Sequence, residues 1–257
     1  MTGQEALKKV KTSSSADNKR FDMIFFKNYM SKLRKFLNSF KKQDYYIVSL
    51  GPNCFPKTVL TRWKLKKIRA HGELTLPFDL AWYHKASVIT DNIANNFINF
   101  FDGLEYQDDI KKWDIPAKIN FSHESSFGIN DKEAIIKMYS ARIKNFNQIM
   151  NSEKPILFVQ FLKDEKVGND AKKLFKTISD IRKDKPFHIL IIDANDIVND
   201  NGPEISILKT KIPNNNYDLY DMKCYKSKEG KLFEKQIINI CKKIIKENFK
   251  LKIVKYH

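Results

Sequence analysis

Two stretches in the second half of the chain are apolar at nearly every position and bracket a helical pattern. Residues 155–161 read PILFVQF and residues 187–193 read FHILIID, while residues 170–183 between them carry apolar positions at helical spacing. A strand that is apolar at successive positions must be covered on both faces, which is the condition of a strand inside a parallel sheet. Strand, helix and strand in that order predict a right-handed βαβ crossover. The expected fold class is therefore α/β, a three-layer, Rossmann-like, mostly parallel sheet flanked by helices. In such a sheet ligands gather at the carboxyl ends of the strands. Those ends are polar here, at Gln160 to one side and at Asp193, Asn195 and Asp196 to the other.

A third buried strand is predicted over residues 45–50 (YYIVSL), and it runs straight into a turn. Gly51 and Pro52 break the strand, Asn53 suits an N-cap, and Pro56 is tolerated in a first helical turn. Val59, Leu60 and Trp63 then supply an apolar helical stripe. Cys54 thus falls on or beside a helix N-terminus, where unpaired N–H groups and the helix dipole favour a thiolate or a bound anion. The competing reading is a small buried residue that fills the turn.

These residues carry a resemblance. Ser49-Leu50-Gly51-Pro52-Asn53-Cys54, followed by Leu76-Pro77-Phe78-Asp79 and an aromatic at Trp82, is similar to the SLGxNC and PFDW signature of a bacterial and viral family. That family has no known function, and its proposed activity is that of a papain-like cysteine peptidase. The motifs cover residues 45–85. Leu80 stands where the family usually has Trp, and Pro52 where a small polar residue is common. The resemblance implies a Cys–His pair acting on an amide or ester, and an antiparallel papain-like core that conflicts with the parallel sheet read above. It also implies that Asp79 and Trp82 pack near the cysteine turn, Asp79 either orienting a base or capping a helix that begins near Ala86.

The other candidate residues come from the rest of the chain. Ile119 and Phe121 alternate with polar residues in strand fashion and place His123 at a strand end. His84 adjoins the PFD motif, His71 lies in a polar loop, His188 opens an apolar strand and His257 is terminal. His123 is the histidine assigned to Cys54. The catalytic set is then Cys54 as nucleophile, His123 as base and Asp193 as the residue that orients the imidazole, with Gly51, Asn53, Asp79 and Asn195 in ligand contact. The alternative is a Rossmann-like transferase or binding domain whose Gly51 to Asn53 turn holds an anionic group such as a nucleotide-sugar phosphate. A third reading is a non-enzymatic basic interaction module.

The net charge of +17 comes mainly from lysine scattered along the chain. It favours an acidic partner or an anionic membrane surface through long-range attraction. No zinc-finger spacing, RNP-type strand or helix-turn-helix accompanies it, which argues against specific nucleic-acid binding. Cys54, Cys224 and Cys241 are too few and too scattered for a disulfide framework or a cysteine metal site. They suit a reducing cytoplasm, and no metal or organic cofactor is expected.

Residues 1–19 are polar and rich in Lys and Ser, the composition of a disordered tail. Residues 20–43 form a basic amphipathic helix with Phe25, Tyr29, Leu33, Phe36, Leu37 and Phe40 on one side, able to pack on the domain or lie on an anionic membrane. Residues 44–257 read as one α/β domain. Within it, helices are predicted over 87–101, 131–150 with Asp131 as N-cap, and 232–249. Residues 104–113 suggest a loop or hairpin, 199–230 an irregular lid or connection with short extended pieces over 205–212 and 217–225, and 251–254 an edge strand.

Overall fold

The computed structural model describes residues 43–51, 53–109, 111–121, 123–124, 131–162, 168–194, 204–213 and 221–253. The expected tail and nearly all of the basic helix over 20–43 lie outside the described residues. In chain order the elements are β1 (Tyr46–Ser49), α1 (Phe55–Arg62), a short 3-10 turn (Arg69–His71), β2 (Trp82–Tyr83), α2 (Ala86–Ala94) and β3 (Glu105–Gln107). They continue with β4 (Lys112–Ile115), β5 (Ile119–Asn120), α3 (Lys132–Met150), β6 (Ile156–Leu162) and α4 (Gly168–Arg182). The last are β7 (Phe187–Asp193), β8 (Ile205–Lys209), α5 (Met222–Tyr225) and α6 (Lys228–Glu247).

The protein is mixed α/β. Strands β1, β6, β7 and β8 form a four-stranded sheet in that order, and every pairing in it is parallel. The βαβ unit is present as β6, α4 and β7. A second sheet, in the order β2-β5-β4-β3, is antiparallel throughout. The single mostly parallel sheet therefore needs correction to two sheets, because three of the four strands of the second are too short to show a period.

Side-chain alternation along the parallel sheet splits the interior into two apolar layers. Val48, Leu50, Phe158, Ile189 and Ile191 face one layer, shared with residues of α2, α3, α4 and the antiparallel sheet. Ile47, Leu157, Val159, Leu190 and Ile192 face the other, shared with α1 and α6. The loops entering β6 and β7 are tied by one fully buried guanidinium. Arg182 Nη1 donates to the carbonyls of Met150 and Ser152 at 2.9 and 2.6 Å, and Nη2 to those of Lys154 and Pro186 at 2.9 Å each. One cation thus serves four carbonyls at once, of which that of Pro186 also accepts the Ile156 N–H at 3.2 Å.

Three expectations change. Within 199–230 the extended piece over 205–212 forms as β8 (Ile205–Lys209), the edge of the parallel sheet, but the one over 217–225 does not where it is described, since α5 occupies Met222–Tyr225. Residues 250–253 are not a strand; they follow α6, with the Leu251 N–H bonded to Ile245 O at 3.1 Å. The helix over 87–101 ends at Ala94, because Asn96 and Phe97 turn to positive φ (48° and 60°). That reversal buries Phe97 and leaves Ile98 79% exposed.

Candidate functional site

The site is built where β1 leaves the sheet. Pairing outlasts the strand by two residues, with Leu50 N–H bonded to Val159 O at 2.9 Å and Phe161 N–H bonded to Gly51 O at 3.0 Å. Gly51 then adopts φ +65°. A Cβ there would stand 3.2 Å from Ile89 Cδ1 and 3.3 Å from Asn53 N, with the Tyr83 ring at 3.7 Å. The glycine is thus required twice, for its left-handed backbone and for the side chains pressed against it. The protein's own groups fill the space beside it.

Asn53 does cap the helix, but from one residue outside the expected position. Its Oδ1 accepts the Phe55 N–H at 2.9 Å, while Cys54 is the N-cap by backbone geometry and makes no side-chain cap bond. The Cys54 carbonyl accepts the Thr58 N–H at 3.0 Å, the first helical bond. Cys54 is 9% exposed and belongs to the α1/α6 layer, next to Phe55, whose ring stacks on Phe161 with centroids 4.3 Å apart. Cys241 contrasts with it: fully buried in the middle of α6, its thiol is pushed up to about 12 by burial.

Asp79 is completely buried and holds the PFD segment to the cysteine helix. Its Oδ2 accepts the Leu76 N–H at 2.9 Å and lies 3.3 Å from Lys57 Nζ of α1. It does not cap α2, whose N-cap is Lys85 and carries no side-chain cap bond. Asp79 also reaches Lys66, a buried lysine that donates to Ile47 O at 2.7 Å and pairs with Glu73 at 2.9 Å. Burial alone would lower the Lys66 pKa, but the carboxylates of Glu73 and Asp79 outweigh it and the pKa is raised. Trp82 is 56% exposed, so the aromatic against the cysteine turn is its neighbour Tyr83.

His123 lies past the end of β5, is helical together with Glu124, and is half-buried. Phe121, two residues before it, and Glu124, the residue after it, are both buried. Asp193 ends β7 with its side chain at 0% exposure, and the alternation of β7 assigns it to the α2/α3/α4 side together with Ile189 and Ile191. Cys54 lies in the opposite layer, and β6 stands between β1 and β7, so the two strand axes are about 10 Å apart. Asn195 is outside the described residues. The structure therefore brings Gly51, Asn53 and Cys54 into one turn and ties Asp79 to the helix that follows. It sets Asp193 on the other face of the sheet.

Several participants escaped the sequence reading. Arg142 and Glu124 form a buried ion pair at 2.7 Å, and Arg142 lies over the Tyr139 ring at 4.3 Å. Burial pushes the phenols of Tyr83 and Tyr139 well above their usual pKa, and both sense the charges of Arg142 and Glu124. One signal was present: Arg142 interrupts the inward stripe of Ile135, Tyr139, Phe146 and Ile149 on α3. An arginine in an apolar stripe demands a buried anion. His188, by contrast, is far from the carboxyl edge. It bonds Ser206 Oγ at 2.8 Å and Asn248 Nδ2 at 3.2 Å, and burial lowers its pKa to about 4.

Among the described residues no helix is long and apolar enough to cross a membrane. Comparison with curated proteins and with solved structures found no match. Comparison with family models found one over residues 45–196, from the first strand of the parallel sheet to just past the third, with the cysteine turn and the PFD segment inside it. That span is more than half of the chain, and the protein belongs to the family described as "Putative papain-like cysteine peptidase (DUF1796)".

Proposed function

We propose that the protein is a thiol hydrolase that opens an amide or ester bond, with Cys54 as nucleophile and His123 as general base; Asp193, buried on the face of the sheet opposite Cys54, is left out of the catalytic set. The observation that carries this reading is the seat of Cys54 at the N-cap of an eight-residue helix at the carboxyl edge of a parallel sheet. Such a seat favours negative charge on sulfur. In the reaction His123 takes the Sγ proton, and the thiolate adds to the carbonyl carbon as the carbonyl electron pair moves onto oxygen. Collapse of that adduct expels the amine or alcohol, which takes the proton from the imidazolium. Water then cleaves the thioester in the same way, releasing the acid and restoring the thiol.

The cysteine turn limits which donors can meet the oxyanion. The Phe55 N–H is engaged by Asn53 and Pro56 has none, so the candidates in this turn are the Cys54 and Lys57 N–H groups and the Asn53 side-chain amide. Because the Asn53 Oδ1 accepts from Phe55, its Nδ2 is the donor that amide has to offer. Gly51 shapes the turn and Asp79 anchors α1 through Lys57, so both act by positioning. The same shortage of first-turn N–H groups weighs against the anionic-ligand reading, since a phosphate would find few backbone donors there. Helices on both faces of the parallel sheet support the Rossmann-like class, and the scattered cysteines support a reducing, cytoplasmic setting.

Alkylation of Cys54 by iodoacetamide tests the pair without a substrate. The ratio of its rate at pH 6 to its rate at pH 9 cancels the effect of limited access to the sulfur and reports thiolate content. The ratio should exceed that of Cys224 in the same chain and drop about tenfold in His123→Ala, since the imidazole that takes the thiol proton is gone. Equal ratios for the two cysteines, unchanged by the substitution, would remove the Cys–His pair.

A further inference from the structure

We infer that the buried Glu124–Arg142 pair is the positioning device for the proposed base, clamping the His123 turn to helix α3. This inference rests on the thiol-hydrolase reading and adds to it the residues that hold the base in place.

His123 is bracketed by two anchors. On one side the Phe121 N–H bonds Trp113 O at 2.9 Å, and the Phe121 ring meets the Tyr139 ring edge-on at 4.7 Å. On the other, Glu124 Oε1 accepts from Arg142 Nη1 at 2.7 Å. Tyr139 and Arg142 are three residues apart on α3, hence on one face of it and one turn from each other. The segment that carries His123 is thus pinned at both ends to a single 19-residue helix.

The same cluster reaches the cysteine turn through Tyr83. That residue pairs with Ile119 of β5, lies in the same buried cluster as Phe121 and Tyr139, donates to Pro77 O at 3.3 Å, and presses its ring against the place where Gly51 has no side chain. Histidine turn and cysteine turn therefore lean on one group of side chains. Glu124 is 1% exposed and Arg142 8%. A buried ion pair contributes little net stability over an apolar pair of the same size, because desolvation offsets the attraction. Its geometry, however, is directional, and a planar guanidinium held over a ring fixes the carboxylate it binds. A merely cohesive contact at this point needs no charge. A contact that must set the direction of the adjacent backbone gains from one.

The test uses the same alkylation ratio in the full-length protein. Glu124→Gln and Arg142→Met should each lower the ratio of the pH 6 to the pH 9 rate by about three- to tenfold, the effect of a base displaced and not removed. Should either single variant fold poorly, the double variant Glu124→Leu with Arg142→Leu removes both charges together and is tolerated better than a lone buried ion. Asp131→Ala is the control, since it takes away the N-cap of the same helix without touching the pair. It should reduce melting temperature and leave the ratio alone. If His123→Ala lowers the ratio while the pair variants and the double variant keep the wild-type value, the positioning role is overturned and the catalytic pair stands. If His123→Ala itself changes nothing, the catalytic pair and the clamp fall together. A loss of ratio in Asp131→Ala as large as in Glu124→Gln would assign the effect to helix stability and overturn the clamp.

Discussion

The two apolar layers on either side of the parallel sheet are made of different materials. The layer toward α1 and α6 is mainly aliphatic, and Ile237, Ile238, Ile244 and Ile245 from α6 alone supply much of it. The layer toward α2, α3 and α4 is aromatic, with Phe78 set among Tyr83, Phe97 and Phe146 at centroid distances of 5.4, 5.7 and 5.4 Å. Each layer also holds one buried glutamate paired with an arginine. Glu234 on α6 binds Arg62 and the indole N–H of Trp63, so it ties one helix to the end of another. Glu124 binds Arg142 from the helical residues that follow β5, so it ties the chain just past a two-residue strand to α3. The aliphatic layer is thus assembled from regular elements whose faces are complete in themselves. The aromatic layer is assembled from rings on many short segments, and it is the layer that fixes irregular backbone.

The sharpest test of that contrast is to remove one ring. Phe78→Ala deletes the centre of three ring contacts and should cost about 3–5 kcal/mol in urea unfolding. A loss near 1 kcal/mol would mean that the rings do not act as one unit.

The aliphatic side predicts a pH effect in place of a packing one. His188 has a pKa of about 4 in the folded protein against 6.5 for the free side chain, so the unfolded chain binds the proton first as pH falls. Its contribution to stability is complete above pH 6.5 and is lost as pH falls from there to about 4, by up to about 3 kcal/mol. Unfolding midpoints measured between pH 7 and pH 4 should show this slope, and His188→Gln should flatten it. A variant with an unchanged slope would place the acid sensitivity elsewhere.

At the seam between the layers, Gly51→Ala meets Ile89 and must hold φ +65° with a side chain. We expect a loss of about 1–3 kcal/mol together with slower alkylation of Cys54, since the cysteine turn must shift. Stability lost with no change in alkylation would separate the turn from the seat of the thiol. The smallest effects belong to the helix ends. Asp131→Ala on α3 and Ser227→Ala on α6 remove N-cap bonds on opposite sides of the sheet and should cost about 1 kcal/mol each. Equal costs would show that the layers differ in packing and not in the local strength of their helices.

Legibility in the sequence followed the same division. Strands β6 and β7, helix α4 and helix α6 announce themselves because a continuous apolar run or a helical stripe repeats over many residues. Residues 251–253 have a strand-like composition, yet the edge position is taken by Ile205–Lys209, a choice that depends on which segment reaches β7. Trp82 and Tyr83 illustrate the limit at the site. Adjacent aromatics on a strand point to opposite faces, and only the pairing of Tyr83 with Ile119 decides which one turns inward toward Gly51. Asp79 looked like a cap for the next helix, but its carboxylate turns back to Leu76 and Lys57.

By itself the chain's order of residues determined the parallel α/β core and the place of Cys54 at the start of a helix. Both depend on periods and turn chemistry that act within a few residues of one another. Only the tertiary structure decided that Asp193 and Cys54 belong to opposite faces, and that Glu124 finds Arg142 across 18 residues of sequence. Those facts come from how strands are ordered and how distant rings and charges exclude water together, and no local pattern records such long-range burial.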